Sequence, residues 1–249
     1  MCQFTKVINE DLKALDIALA EGTGVLIRNN LKFSPVPLVR EFPIHEQVKV
    51  ISPNMFSWVH FERLEIPSTL EEINQRAFYR STINNLKLSR GIKRIGSYAF
   101  AVCDLSSLEL PTTVEVIGDN AFEQNKIANL HIPESVKFIG KMAFCRNKIK
   151  ALYIGDGVRV IDSLAFRCNE LTKIVIPESV ESIGLGAFDS NPLEEVIILG
   201  KNTYIDYDAF GDNKGLKIYG HEGSDVEHCA RNLGHNFISI SDLPSFRTQ

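Results

Sequence analysis

Four side chains with the chemistry to bind a soft metal fall close together near the C-terminus: His221, His228, Cys229 and His235. Imidazole and thiolate are zinc ligands. Ligation from a helix, however, needs partners about one turn apart, and His228 and Cys229 are neighbours that point to different faces. They read as solvated or packed side chains. The five cysteines, Cys2, Cys103, Cys145, Cys168 and Cys229, are odd in number and share no spacing. That fits reduced thiols in a cytosol better than a disulfide framework. Glu194 and Glu195 sit in a charged segment and read as surface. No Gly-x-Ser-x-Gly elbow, P-loop or dinucleotide fingerprint occurs. With no convergent catalytic groups, neither enzymatic activity nor a cofactor or metal is expected.

Composition removes further classes. Against 27 Lys and Arg stand 31 Asp and Glu, a formal charge of −4 over 249 residues, which leaves no basic excess for general nucleic-acid binding. The basic stretch 141–173 lacks interleaved aromatics, so single-stranded nucleic acid is not expected either. No run of 18 apolar residues is present, so membrane insertion is not expected. Met1 to Lys6 leads into Asn9-Glu10-Asp11 without the apolar region of a secretory signal, which points to a cytoplasmic location.

What must position any functional residue is a repeat. Ala-Phe recurs at Ala77-Phe78, Ala99-Phe100, Ala121-Phe122, Ala143-Phe144, Ala165-Phe166, Ala187-Phe188 and Ala209-Phe210, each step being 22 residues, and Met55-Phe56 extends the series upstream. Five residues before each Phe lies an isoleucine, from Ile51 to Ile205, with an aliphatic three residues earlier. After the Phe comes a second apolar run, as in Ile127-x-x-Leu130-x-Ile132, often ended by Pro (Pro67, Pro111, Pro133, Pro177). A unit this short cannot bury its own apolar face, but stacked copies cover one another. The Leu-x-Leu alternation predicts one strand per unit with the intervening residue outward. The Val-x-x-Ile-Gly segment predicts a second extended piece on the opposite wall, with Phe filling the centre. The Asn column, Asn125, Asn147, Asn169, Asn191 and Asn213, reads as structural, its amides satisfying backbone groups of neighbouring coils.

The unit Ile132-Pro133-Glu134-Ser135-Val136-Lys137-Phe138-Ile139-Gly140-Lys141-Met142-Ala143-Phe144 resembles the BspA-type leucine-rich repeat. The expected fold is therefore a β-rich leucine-rich repeat solenoid with short helical turns. About eight 22-residue coils span 44–219, with a helical N-terminal cap at 1–43 and a helix–strand cap and tail at 220–249. Ser89, Gly155 and Leu199 depart from the strand-ending Pro and should alter local turns. The resemblance also implies an alternative role, a surface- or particle-associated adhesive or structural protein released without a visible signal.

At the N-terminus, Asn9 suits a helix N-cap, Leu12, Leu15 and Leu19 form one apolar stripe, Gly22 suits the stop, and Val25-Leu26-Ile27 suits a strand. Pro35, Pro37 and Pro43 mark loops. Alternatively, this segment is a small partner-binding element. At the other end, Ser224-Asp225-Val226-Glu227 fits a capping box, Gly234 a helix stop, and Phe237–Ile240 a final strand pairing with the last coil.

Outward strand positions are where function is free to act. One row reads Glu65, Lys87, Glu109, His131, Tyr153, Val175 and Ile197, and its neighbour Arg63, Asn85, Ser107, Asn129, Ala151, Lys173 and Glu195. The first half alternates in charge as a solvated face should. The second half turns apolar, and Tyr153, Val175 and Ile197 would form an exposed patch, the mark of an interaction site. Charge also segregates: 141–173 carries seven basic and three acidic residues, and 174–212 eight acidic residues and only Lys201. Such a dipole could orient a partner. The expected function is a protein-binding module, an intracellular inhibitor or recruiter, with self-association through the same rows, or cover of those rows by the chain itself, as further options.

Overall fold

A computed structural model describes the backbone of strands at 17–20, 25–28 and 38–43, and residues 48–211, 213 and 215–242 in full. Its centre is a column of phenyl rings. Phe56, Phe78, Phe100, Phe122, Phe144, Phe166, Phe188 and Phe210 are all fully buried. Each ring lies on the next at centroid separations of 5.0–5.9 Å and interplanar angles of 5–20°. An offset stack at this spacing adds to the apolar area each ring removes from water. All seven alanines that precede a ring are likewise buried, and Met55 takes the same buried place before Phe56.

Three walls surround the column. The Val-x-x-Ile segments build a ten-stranded sheet from Ile17–Ala20 through Val25–Arg28, Val50–Ile51, Glu72–Ile73, Arg94–Ile95, Val116–Ile117, Phe138–Ile139, Val160–Ile161, Ser182–Ile183 and Tyr204–Ile205. From Val50–Ile51 onward the strands run parallel in 22-residue register, Ile beside Ile, and Val25–Arg28 joins them in parallel with Leu26 beside Ile51. The first pairs antiparallel with Val25–Arg28. Both walls continue upstream of residue 44, since Val25–Arg28 pairs with Val50–Ile51 and Leu38–Pro43 with His60–Glu65. The helix expected from Asn9 falls, up to residue 16, outside the described residues. Leu19, assigned to its stripe, lies in a strand, and Pro43 ends a strand rather than marking a loop.

The Leu-x-Leu wall is not continuous. It divides into Leu38–Pro43 with His60–Glu65, Thr82–Ile83 and Leu86–Lys87; Asn129–Ile132 with Ala151–Ile154; and Lys173–Ile176 with Glu195–Ile198, Lys217–Gly220 and Asn236–Ser239. The strand expected over Leu105–Leu110 does not form. The chain enters that segment through Asp104, left-handed at φ 59°. From residue 82 onward, one property of proline accounts for the breaks. Where the strand-ending position keeps a backbone N–H, the coil joins its predecessor: Gly155 donates to Ile132 O at 2.9 Å and Leu199 to Ile176 O at 3.0 Å, and the coil of Ser89 pairs Leu86 with Leu64. Pro111, Pro133 and Pro177 have no N–H to give, and their outer segments do not pair as strands with the one before, although Lys126 N still reaches Leu105 O and Glu170 N reaches Ile149 O. Farther upstream, His60–Glu65 pairs despite Pro67.

The third wall is the turn around each Phe. From Phe56 to Phe188, residues two before and two after the ring are left-handed, as at Arg76 (55°) and Arg80 (56°) or Met142 (56°) and Arg146 (57°). The alternation aims every second N–H at the following coil: Met142 to Ser163 O, Phe144 to Ala165 O and Arg146 to Arg167 O, at 3.0, 2.8 and 2.9 Å.

The Asn column closes the remaining gap. Asn147 Oδ1 accepts from Ile127 N at 3.2 Å, while Nδ2 donates to Phe122 O and Phe144 O at 2.9 and 3.2 Å. Asn125, Asn169 and Asn191 repeat this. Upstream the same column holds Cys103, whose thiol donates to Phe78 O at 2.9 Å, and Ser81, whose hydroxyl donates to Phe56 O at 2.6 Å. At the C-terminal end, Ser224 caps the helix Asp225–Asn232, with Glu227 N donating to its hydroxyl. Gly234 follows at φ 72°. Val226 and Ala230 are buried, and strand Asn236–Ser239 pairs with Lys217–Gly220 to cover the last coil.

Two substitutions test these contacts. Asn147→Ala leaves the buried Ile127 N–H unpaired and takes one of the two amide donors from each of Phe122 O and Phe144 O; it is expected to cost roughly 1–3 kcal/mol in chemical denaturation. Asn147→Asp does not rescue it, because both donors are lost. Gly157→Ser copies Ser135, one coil upstream, yet a Cβ at Gly157 would lie 1.6 Å from Glu134 O. It is expected to cost roughly 1–3 kcal/mol; stability equal to the parent contradicts the geometry.

Candidate interaction face

The outward rows stand where the period puts them. Lys87, Glu109, His131 and Tyr153 are exposed, and Glu65 and Val175 half-buried. Ion pairs run from coil to coil across this face, Glu65 with Lys87 at 2.5 Å and Lys173 with Glu195 at 3.0 Å, and Arg63 meets Glu65 along its own strand at 3.6 Å. The hydrogen bonds from Lys87 and Lys173 hold the Glu65 and Glu195 carboxyls below the ordinary range. Exposed pairs of this kind contribute little to stability; they fix side-chain directions.

The charge boundary near residue 173 is bridged in the same way. Arg167 meets Asp189 at 2.7 Å and Arg159 meets Glu181 at 3.8 Å, while within the basic stretch Lys150 meets Glu170 at 3.3 Å. Much of the dipole read from the sequence is thus neutralised between neighbouring coils.

His131 and Tyr153 are opposite each other in a parallel ladder. Their rings stack at 4.5 Å and 9°, leaving Tyr153 48% exposed. Val175 follows one coil on, but across the break made by Pro177, so the row is two pieces and not one strip. Ile197, expected at the exposed end, is only 1% exposed. Its register partner is Tyr219, whose hydroxyl reaches back to Glu195 Oε1 at 3.5 Å. The ring therefore leans across Ile197 and removes it from the surface. What remains accessible is the His131–Tyr153 stack, Val175, and a charged rim of Glu109, Lys173 and Glu195.

The other candidate chemistry does not converge. His221 Nε2 lies 3.1 Å from Leu199 O, and Cys229 is half-buried, its thiol directed at Asp206 O. Among the described residues no three His, Cys, Asp or Glu side chains form a metal-binding group. Burial pushes the Cys145 thiol up to about 11 and raises Cys103 further, so neither is a ready nucleophile. The strand rows leave out the turn wall, where Trp58, Tyr79 and Tyr98 carry arginines over their rings. The signal for it is in the residues two before and one or two after each Phe.

The sequence model of the BspA type leucine rich repeat region matches residues 29–104 and 93–217, in 6 copies. The chain belongs to the BspA-type leucine-rich repeat family. This is a protein-interaction repeat fold, and no described helix of the repeat protein is long and apolar enough to cross a membrane. Solved structures similar to it include a leucine-rich repeat protein of Bacteroides ovatus (20% identity, TM-score 0.45), covering 82% of this chain and 69% of that one. Pneumococcal vaccine antigen PcpA is similar at 17% identity and TM-score 0.45, with 78% and 66% covered. A leucine rich cell surface protein of Faecalibacterium prausnitzii is similar at 22% and 0.47, with 72% and 59% covered. The repeat protein thus spans roughly two thirds of the length of these structures. No curated protein matches it.

Burial divides the row experimentally. Ile197→Ala is expected to cost roughly 2–5 kcal/mol, and Tyr153→Ala less than about 1 kcal/mol, in chemical denaturation. Similar costs for both contradict the burial assigned to Ile197.

Proposed function

We propose that the protein is a non-enzymatic recognition module that holds a protein partner against the outer face centred on His131, Tyr153 and Val175, with Glu65, Lys87, Glu109, Lys173 and Glu195 as a charged rim. One observation carries this reading: two aromatic rings stack in solvent at positions where the repeat's own packing requires neither. Aromatic residues with a polar edge are the usual anchors of interfaces, and charged rims set orientation. A solenoid held by three sets of inter-coil contacts loses little backbone freedom on binding. The module acts as an inhibitor or recruiter inside the cell. Family membership favours a second setting for the same face, a surface- or particle-associated adhesive protein, and cell fractionation distinguishes the two.

Tyr153→Ala combined with Val175→Glu is the direct test, read by affinity capture from native lysate and mass spectrometry. The expected outcome is loss of the captured partner with unchanged thermal stability. Retention of every partner places the contact elsewhere. Light scattering checks self-association: a partner-binding face without it gives a concentration-independent monomer.

A further inference from the structure

The turn wall of three successive coils has an unusual content. Residues 52–58, 74–80 and 96–102 include Arg76 and Arg80 but no Asp or Glu. The Arg80 guanidinium lies 4.8 Å from the centroid of Trp58 and 5.5 Å from that of Tyr79, and its Nε donates to the Tyr79 hydroxyl at 3.1 Å. Arg76 lies 5.2 Å from Tyr98 and 5.8 Å from Tyr79. Tyr79 and Tyr98 meet edge to face at 6.2 Å. Two guanidiniums thus flank one ring, and each also covers a second.

Farther along the same wall arginines are neutralised, Arg146 by Glu123 at 3.9 Å and Arg167 by Asp189 at 2.7 Å. The ion pairs of the described residues include neither Arg76 nor Arg80. A guanidinium lying on a ring keeps its N–H edge available, and that edge matches a carboxylate in bidentate geometry. Trp, Tyr and Arg are also the residues that carry most interface energy.

We propose that this wall is a second docking surface, separate from the outer sheet, for an acidic segment of a partner protein. Carboxylates of the segment take the outer edges of Arg76 and Arg80, and its apolar side chains lie on Trp58 and Tyr98. A nucleic-acid strand fits less well, because it needs a positive groove that follows its backbone. Here there are two cations, and Asp119 and Glu123 enter the wall in the next coil.

Trp58 is the only tryptophan, so its emission reports on the site directly. The probe is a short fluorescein-labelled peptide of Glu and Leu, titrated into the full chain and followed by anisotropy, with a Gln and Leu peptide as control. Saturable binding of the Glu peptide is expected, with Trp58 emission changing over the same concentrations. Affinity should weaken as salt rises from about 50 to about 200 mM. Arg76→Gln with Arg80→Gln should reduce it at least about tenfold without lowering the thermal midpoint. The paired Lys variant, which keeps the charge but not the fork and guards against a folding defect in the Gln pair, should fall between. Tyr153→Ala with Val175→Glu should leave it unchanged. The proposal is overturned if the Glu peptide does not saturate, if the Gln peptide binds equally, or if neither arginine pair alters the affinity. Tighter binding of an oligothymidylate or a heparin fragment at the same salt overturns it in favour of another polyanion.

Discussion

A phenyl ring at the middle of a 22-residue coil can be covered only by the rings above and below it. That constraint sets almost everything else. Ring must follow ring at about the spacing of paired strands, so each coil must have the same length. The walls then follow: one ladder of short parallel strands, one outer sheet in three pieces, and one of turns bent through two left-handed residues, with side-chain amides closing the gap that remains. The left-handed residues are mostly not glycine, and conformations of this kind cost of order 1 kcal/mol or more each. Those that flank the rings from Phe56 to Phe166 persist because each one aims an N–H at the next coil, and a buried N–H without an acceptor costs more.

The outer sheet is the wall with latitude, and its continuity turns on a single atom. At Pro111, Pro133 and Pro177 no N–H reaches the preceding coil and the sheet divides, whereas it continues at Gly155 and Leu199 and, upstream, past Pro67. The same exchange alters the turn that follows, since the backbone at Gly157 leaves no space for the Cβ that Ser135 carries in the equivalent place. Substitutions within a coil are therefore coupled at short range while the column of rings stays unaltered. Function has room only at positions that neither the rings nor the ladders specify. Both groups of exposed or half-buried aromatics, on the outer sheet and on the turn wall, stand at such positions.

Periodic features were legible in the sequence because side-chain type alone carries them: the Phe column, the Ile ladder, the Asn amides and the Ser224 cap. Features that depend on a neighbour's reach were not. Ile197 belongs to an outward row, but Tyr219, which covers it, lies one coil beyond the last residue of that row. Cys103 and Ser81 do the work of Asn with other chemistry, so identity matching begins the column too late. Leu19 fits a helical stripe by spacing, but it lies in a strand paired with Val25–Arg28, and tertiary pairing outweighs a short local pattern. The arginines on Trp58, Tyr79 and Tyr98 were hidden because they belong to the turn, where residue type looks unconstrained.

Deleting whole or partial coils tests the governing constraint most directly. Removal of residues 133–154, one full period, joins Ile132 to Gly155 and keeps every ring over another; removal of residues 133–143, half a period, does not. Denaturant unfolding followed by circular dichroism should show a single cooperative transition for the first, slightly weakened by the lost coil, and none for the second. A full-period deletion that unfolds, or a half-period deletion as stable as the parent, would contradict a fold governed by ring stacking in fixed register.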